Sequence, residues 1–201
     1  MFVLYQIVVS IFLLISPIII LFRILNNKEN NTRFIEKFSF PTKNKIKGKL
    51  IWFHGASVGE LLSVIPLIKY YEKNKLIKQI LVTSSTLSSS NVIKKFKLKK
   101  TIHQFFPIDF IFFTTKFINY WNPKIAIFID SEIWPCMYKS LKIREIPLLL
   151  MNARLTKKSY RRWTYFQNFS KNIFGCIDIA FPQNKETFEY LKKLKIKKIK
   201  E

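Results

Sequence analysis

Lys49-Leu50-Ile51-Trp52-Phe53, followed by His54-Gly55-Ala56-Ser57-Val58-Gly59-Glu60, reads as a strand that runs into a turn of small residues. Beyond it, Leu61, Leu62, Val64, Ile65, Leu67 and Ile68 set an apolar stripe at helical spacing. The segment is therefore a strand, a tight turn and a helix, with a carboxylate, Glu60, at the junction. Open parallel sheets collect their ligands at the carboxyl ends of strands, so this junction is where chemistry is expected.

The same alternation continues outward from this segment. Apolar strand-like runs recur at Ile80 to Thr83, Gln104 to Phe106, Ile125 to Ile129, Pro147 to Met151 and Ile177 to Phe181. Helix-compatible stretches separate them: 59–73, 89–97, 112–121, 133–141, 157–174 and 185–194. Strands alternating with helices predict βαβ units, hence an α/β fold with a Rossmann-like parallel sheet and flanking helices. The final basic stretch, 191–201, reads as a helix end entering a new strand. No Gly-x-Gly-x-x-Gly occurs, which removes a dinucleotide fingerprint, and four glycines in all leave no P-loop.

Ahead of this domain, Phe2 to Phe22 carries no charged residue. The run matches the roughly 20 residues that cross a bilayer, and predicts a single transmembrane helix. No basic residue precedes it and no small-x-small cleavage motif follows, which favours an anchor over a signal peptide. Arg23, Lys28, Arg33, Lys37, Lys43, Lys45, Lys47 and Lys49 come next, so the positive-inside rule places the body in the cytoplasm. The organisation expected is an anchor over 1–22, a basic juxtamembrane segment over 23–48 and one α/β domain over 49–201. Thr32 to Phe38 forms a short amphipathic patch expected at the membrane surface.

Thirty-five Lys and Arg against 12 Asp and Glu give a formal charge of +23, a field that attracts anionic surfaces. The lysines are scattered and no nucleic-acid motif accompanies them. Adhesion to anionic lipid is the simpler reading beside an apolar anchor, and no nucleic-acid partner is expected. Two cysteines, Cys136 and Cys176, are too few and too distant for a disulfide framework, and two histidines make no metal cluster. No metal and no cofactor are expected.

Four constellations carry chemistry. In Ser57-Val58-Gly59-Glu60, Ser-x-x-Glu before an apolar run is a capping box, with Glu60 returning to the amide of Ser57. The same carboxylate, in the first turn of a helix, is also placed to act as general base toward a hydroxyl, and the two roles draw on the same oxygens. Ile129-Asp130-Ser131-Glu132 puts two acids at a strand end in an acid-poor chain; Glu132 is either a site residue or a helix-terminal charge. Asn152-Ala153-Arg154-Leu155-Thr156 with Ser159 ends another strand, and Arg154 either holds an anionic group or is a solvated loop residue. The hydroxyl run Thr83-Ser84-Ser85-Thr86-Leu87-Ser88-Ser89-Ser90 is either a phosphate cradle at a helix start or a plain loop.

Taken together and in order, these motifs resemble the 3-deoxy-D-manno-octulosonic acid (Kdo) transferases that act on the lipid A precursor. The resemblance rests on the apolar start, His54 to Glu60, Val82-Thr83 with Thr86, Pro107-Ile108-Asp109, Ser131 to Pro135, Asn152 to Leu155 with Ser159, and Pro182-Gln183. Asp130 stands before Ser131-Glu132 where an acid-Thr-Glu order is more usual, and Ser89 where glycine is typical.

The resemblance implies the amino-terminal, acceptor-binding half of a GT-B glycosyltransferase at the bacterial inner membrane, with its body on the cytoplasmic side. It implies Glu60 as the base that deprotonates a glucosamine 6-hydroxyl, which then attacks the anomeric carbon of Kdo with inversion and loss of CMP. Ser57, Gly59, Ser84, Thr86, Glu132, Asn152, Arg154 and Ser159 are the acceptor-binding residues it implies. CMP-Kdo is the implied donor substrate, and the lipid A precursor and inner-membrane lipid are the implied partners. The sequence matches only the first half of the family pattern, so either a separately encoded donor-binding half is a further expected partner or the chain is a fragment of a longer enzyme. A non-catalytic acceptor-binding module or inactive fragment is the alternative.

Overall fold

A computed structural model describes residues 1–200. Six strands form one parallel sheet: β1 (Lys49–His54), β2 (Ile77–Ser84), β3 (Thr101–Phe105), β4 (Ile125–Ile129), β5 (Leu148–Ala153) and β6 (Ile179–Pro182). Their order is β3-β2-β1-β4-β5-β6, and all neighbours run parallel. The helices are α1 (Phe2–Leu25), α2 (Val58–Lys73), α3 (Leu87–Lys95), α4 (Ile111–Trp121), α5 (Pro135–Ile143), α6 (Lys157–Thr164), α7 (Gln167–Phe174) and α8 (Lys185–Lys193). Ile199 makes an isolated parallel bridge to Ala180, where the sequence predicted a new strand.

Alternation along β1 distributes two cores. Ile51 and Phe53 pack with Leu61, Val64, Ile65 and Ile68 of α2 and Ile93 of α3. Leu50 and Trp52 face the other way, toward side chains of α4, α5, α7 and α8. Because both faces are covered, the strands read as unbroken apolar runs rather than alternating ones. Trp52 centres the larger core, with ring centroids 5.0 Å from Phe117, 5.1 Å from Phe128 and 6.2 Å from Phe106.

α2 leads from β1 to β2 on one side, whereas α4 carries the chain back to β4 on the other side of β1. The direction of winding reverses between β1 and β4, and their carboxyl ends form the crevice in which such sheets bind ligands.

Two sequence expectations change. The helix predicted over 157–174 is two helices, broken at Tyr165 and Phe166. In a straight helix Trp163 and Phe174 would stand about 16 Å apart along the axis. Here Trp163 packs edge-on against Phe174 with centroids 5.2 Å apart, so burial of these aromatics folds the chain back.

The Thr32 to Phe38 patch does not present a plain amphipathic face to a membrane. Phe34–Phe38 is a 3-10 turn docked beside β3 by Glu36, which is fully buried. Its carboxylate accepts from Arg33 Nε and Nη2 at 2.8 and 2.9 Å, from the Phe105 amide at 2.7 Å, and from Thr42 Oγ1.

Arg33 continues into the sheet, donating to the His103 carbonyl at 2.8 Å and to His103 Nδ1 at 3.1 Å. Arginine only donates, so Nδ1 accepts and Nε2–H is left to bond Ser84 Oγ at 2.8 Å. Burial, then the Arg33 guanidinium and Lys94, push the imidazole down from 6.5 to about 3. Between those values the unfolded chain binds a proton that the folded chain refuses, so stability is present above pH 6.5 and falls as pH falls. Chemical denaturation from pH 6.5 to about pH 5 should show a loss approaching 1.4 kcal/mol per unit attributable to this group. A His103→Gln variant should lack that component; equal slopes for both proteins would contradict the assignment.

Candidate functional site

Glu60 opens α2 one turn beyond the end of β1. Ser57 caps the helix, its hydroxyl accepting from the Glu60 amide at 3.3 Å and donating to Glu60 Oε1 at 2.7 Å. The return bond goes to the Ala56 amide, which donates to Oε2 at 2.8 Å, rather than to the Ser57 amide that a capping box predicts. Gly55 makes this possible. A Cβ there would lie 3.1 Å from Glu60 Cβ and 3.1 Å from Leu61 Cδ2, in the space through which the side chain folds back.

The geometry removes the competition between cap and base. A carboxylate offers about four lone-pair directions, and the cap occupies one on each oxygen. Both oxygens of Glu60 keep a second direction, while the side chain is held in place from behind. Gly59, beside it, faces open space: a Cβ there would meet no heavy atom within 4 Å.

A second carboxylate is wired to the same strand end. His54, the last residue of β1, is fully buried and stacks on Phe106 with centroids 3.9 Å apart. Its Nε2 lies 3.2 Å from Glu132 Oε2, and its Nδ1 lies 2.9 Å from Thr83 Oγ1. Trp52 Nε1 donates to the same Thr83 oxygen at 2.9 Å. Both ring nitrogens of His54 are therefore engaged, Nε2 by the carboxyl group of Glu132 and Nδ1 by the Thr83 hydroxyl. Trp134 Nε1 also donates to Glu132 Oε2 at 2.8 Å, leaving Oε1 outside these bonds.

The hydroxyl loop divides into two sets. Ser84, Ser89 and Ser90 are buried, with Ser84 bound to His103 and Ser90 to Arg33. Thr86 is exposed and caps α3 through the Ser89 amide at 3.2 Å. Ser89 Oγ reaches the Ala56 carbonyl at 3.4 Å, which joins this loop to the Glu60 turn.

At β5, Asn152 and Arg154 are exposed. The Arg154 amide donates to the Asp130 carbonyl at 3.4 Å, joining the loops after β4 and β5. Asp130 and Asn152 both adopt left-handed backbone, φ 63° and 52°. These are residue types that tolerate this region, and such conformations cluster at functional sites. Ser159 lies in the first turn of α6, where its amide is capped by Thr156 at 3.2 Å; no hydrogen bond joins it to Glu60 or Glu132.

Sequence reading placed His54 and Trp134 within motifs but gave neither a role, and it did not find the cavity next to them. The cavity, ≈ 310 Å³, lies among Tyr5 and Val9 of α1, Lys37, Ser85, Phe106 and Trp134. His54 left a signal as one of two histidines and the last residue of an apolar strand, and Trp134 as a member of the Ser131 to Pro135 motif. Asp109 lines the same cavity and accepts from the amides of Cys136 and Met137 at 3.0 and 2.8 Å. Burial pushes its carboxyl up, against the pull of these donors. Among the described residues, no three His, Cys, Asp or Glu side chains converge to hold a metal ion.

Comparison with known proteins shows the family that the chain resembles. The family model Glycos_transf_N, described as 3-deoxy-D-manno-octulosonic-acid transferase (kdotransferase), matches residues 32–200. A 3-deoxy-D-manno-octulosonic acid transferase of Rickettsia bellii is 37% identical over 178 residues, 87% of this chain and 42% of that protein. That of Rickettsia felis is 40% identical over 141 residues, 68% of this chain and 30% of the relative. A probable mitochondrial 3-deoxy-D-manno-octulosonic acid transferase of Arabidopsis thaliana is 36% identical over 153 residues, 75% and 34% of the two chains. The match thus spans between 30% and 42% of the length of these curated relatives.

Proposed function

The chain belongs to the 3-deoxy-D-manno-octulosonic acid transferase family, and from that membership we propose that it holds the lipid A precursor and activates its hydroxyl for attack on CMP-Kdo in lipopolysaccharide synthesis. The observation that carries this reading is Glu60: a carboxylate fixed by Ala56 and Ser57 at the sheet's switch point, with a free lone-pair direction on each oxygen.

In this reading Glu60 takes the proton of the glucosamine 6-hydroxyl as its oxygen bonds to the anomeric carbon of Kdo. The bond from that carbon to the CMP phosphate breaks, CMP leaves with the electron pair, and the configuration inverts. General-base assistance of this kind contributes about 10²–10⁴ in rate. Ser57 orients the carboxylate, and the gap at Gly59 admits the acceptor sugar. Glu132, held by His54 and Trp134, faces the acceptor from the neighbouring strand. Thr86, Asn152, Arg154 and Ser159 complete the acceptor surface, with Arg154 matched to an anionic phosphate. Ser84 supports the loop from inside.

CMP-Kdo is assigned to a further, donor-binding domain, the second half of a GT-B enzyme, consistent with the greater length of the relatives. The setting proposed is the cytoplasmic face of the bacterial inner membrane.

Gly59→Leu tests the acceptor position. Leucine is a better helix former than glycine by about 0.8 kcal/mol, so folding stability should hold or rise. The side chain would fill the space assigned to the sugar, so KM for the lipid A precursor should increase at least several-fold, with KM for CMP-Kdo unchanged. An unaltered acceptor KM would show that the sugar lies elsewhere.

A further inference from the structure

α1 is long and apolar enough to cross a bilayer. It does not stand away from the body. Its less exposed positions, among them Tyr5, Val9, Leu13, Ser16, Ile20 and Arg23, recur every three or four residues, the spacing of one helix face. Toward the amino end that face meets the body at Tyr5 and Val9, and near the other end Ile20 is buried. Every polar side chain between residues 2 and 23 lies on it, and the exposed positions carry only apolar side chains.

The amino-terminal end is fastened to the domain. Tyr5 OH donates to Asp109 Oδ2 at 2.7 Å, its ring lies 6.3 Å from that of Phe169, and Lys139 Nζ sits 3.5 Å from the Phe2 ring centroid. The carboxyl-terminal end is fastened too, by Arg23 Nε to Glu29 Oε2 at 3.2 Å and by Lys37 to the same carboxylate. In a helix that crossed the bilayer, Tyr5 would lie about 25 Å beyond Phe22, on the side away from the body. It could not reach Asp109.

We infer that α1 lies in the plane of the membrane as a monotopic helix, with both ends on the body's side and its outer apolar face in one leaflet of an anionic bilayer. This replaces the bilayer-crossing anchor expected from length and composition. A leaflet is the occupant that the surrounding charge selects. Lys139 flanks the amino end and Lys28 the carboxyl end, while Arg23 and Lys37 outnumber the one carboxylate, Glu29, that they share, in a chain of formal charge +23. Such a ring of cations around an apolar face matches hydrocarbon bordered by anionic headgroups. The orientation also turns the ≈ 310 Å³ cavity, walled by Tyr5 and Val9, toward the membrane. On the proposed transfer reading, an acylated acceptor would then reach the Glu60 crevice without leaving its leaflet.

Protease protection tests the orientation without any activity assay. Short protease-cleavable tags are added before Met1 and after the carboxyl terminus, and sealed membrane vesicles of both orientations are treated with protease. The inference predicts that both tags are cut together in one orientation and both protected in the other. An amino-terminal tag cut only where the carboxyl-terminal tag is protected would establish a crossing helix and overturn it. The occupant is tested by diluting the detergent-purified protein into vesicles. Capture by phosphatidylglycerol vesicles, and weak capture by phosphatidylcholine alone, is expected. Failure to bind phosphatidylglycerol, or lipid-free dimers joined by disulfides in Ile11→Cys and Ile18→Cys variants, would overturn the assignment of a leaflet.

Discussion

Glu60→Gln is expected to lower Kdo transfer by about 10²–10⁴-fold while leaving the protein folded. Glutamine keeps the shape of the side chain, and its carbonyl oxygen still accepts from the Ala56 amide, now 2.8 Å from Glu60 Oε2. Its amide nitrogen can donate to Ser57 Oγ, so the helix start survives. What disappears is the basic oxygen able to take the proton of the acceptor hydroxyl. Ser57→Ala separates cap from base in the opposite sense: it should cost about 1 kcal/mol of stability and lower transfer only modestly, because Ala56 still holds the carboxylate. If the two variants lost stability and transfer in the same proportion, Glu60 would be a cap alone.

The largest stability effect is expected at Glu36. Its carboxylate is fully buried and gathers Arg33, Thr42 and the Phe105 amide. Glu36→Ala would leave a largely buried guanidinium without its partner and an amide of β3 without an acceptor. Breaking a buried pair from one side costs about 3–5 kcal/mol, because the surviving charge has lost its solvation as well as its partner. Urea denaturation should show this loss, and the double variant Arg33→Met, Glu36→Leu should recover part of it, since it removes both charges. A loss under about 1 kcal/mol, the range of exposed pairs, would contradict the structural role given to this turn.

The sheet was legible because its strands are covered on both faces. Leu50 to Phe53 and Ile125 to Ile129 therefore announce themselves as apolar runs, and the turns between strands and helices fall close to where the spacing places them. The break between α6 and α7 was not legible. No glycine or proline marks it, and its cause is the packing of Trp163 on Phe174. Glu36 was misplaced for a related reason: its most distant partner, Phe105, lies 69 residues along the chain, beyond any local pattern.

At the site, the Ser57–Glu60 cap could be read from spacing, but the identity of the returning amide depended on the room left by Gly55. His54 was invisible as an orienting residue because Thr83 and Glu132 meet it only through the pairing of β1 with its neighbours. The length of α1 was plain from the sequence. Its attachment to the body was not, since Asp109 is 104 residues from Tyr5.

The most direct measurement for the central claim is the lipid product formed when wild-type and Glu60→Gln proteins, at matched amounts in membranes that supply the donor-binding domain, are given CMP-Kdo and the lipid A precursor. Mass spectrometry of the extracted lipid should find Kdo-bearing product from the wild type and essentially unmodified precursor from the variant. Kdo-bearing lipid formed equally by both would contradict the assignment of Glu60 as the base.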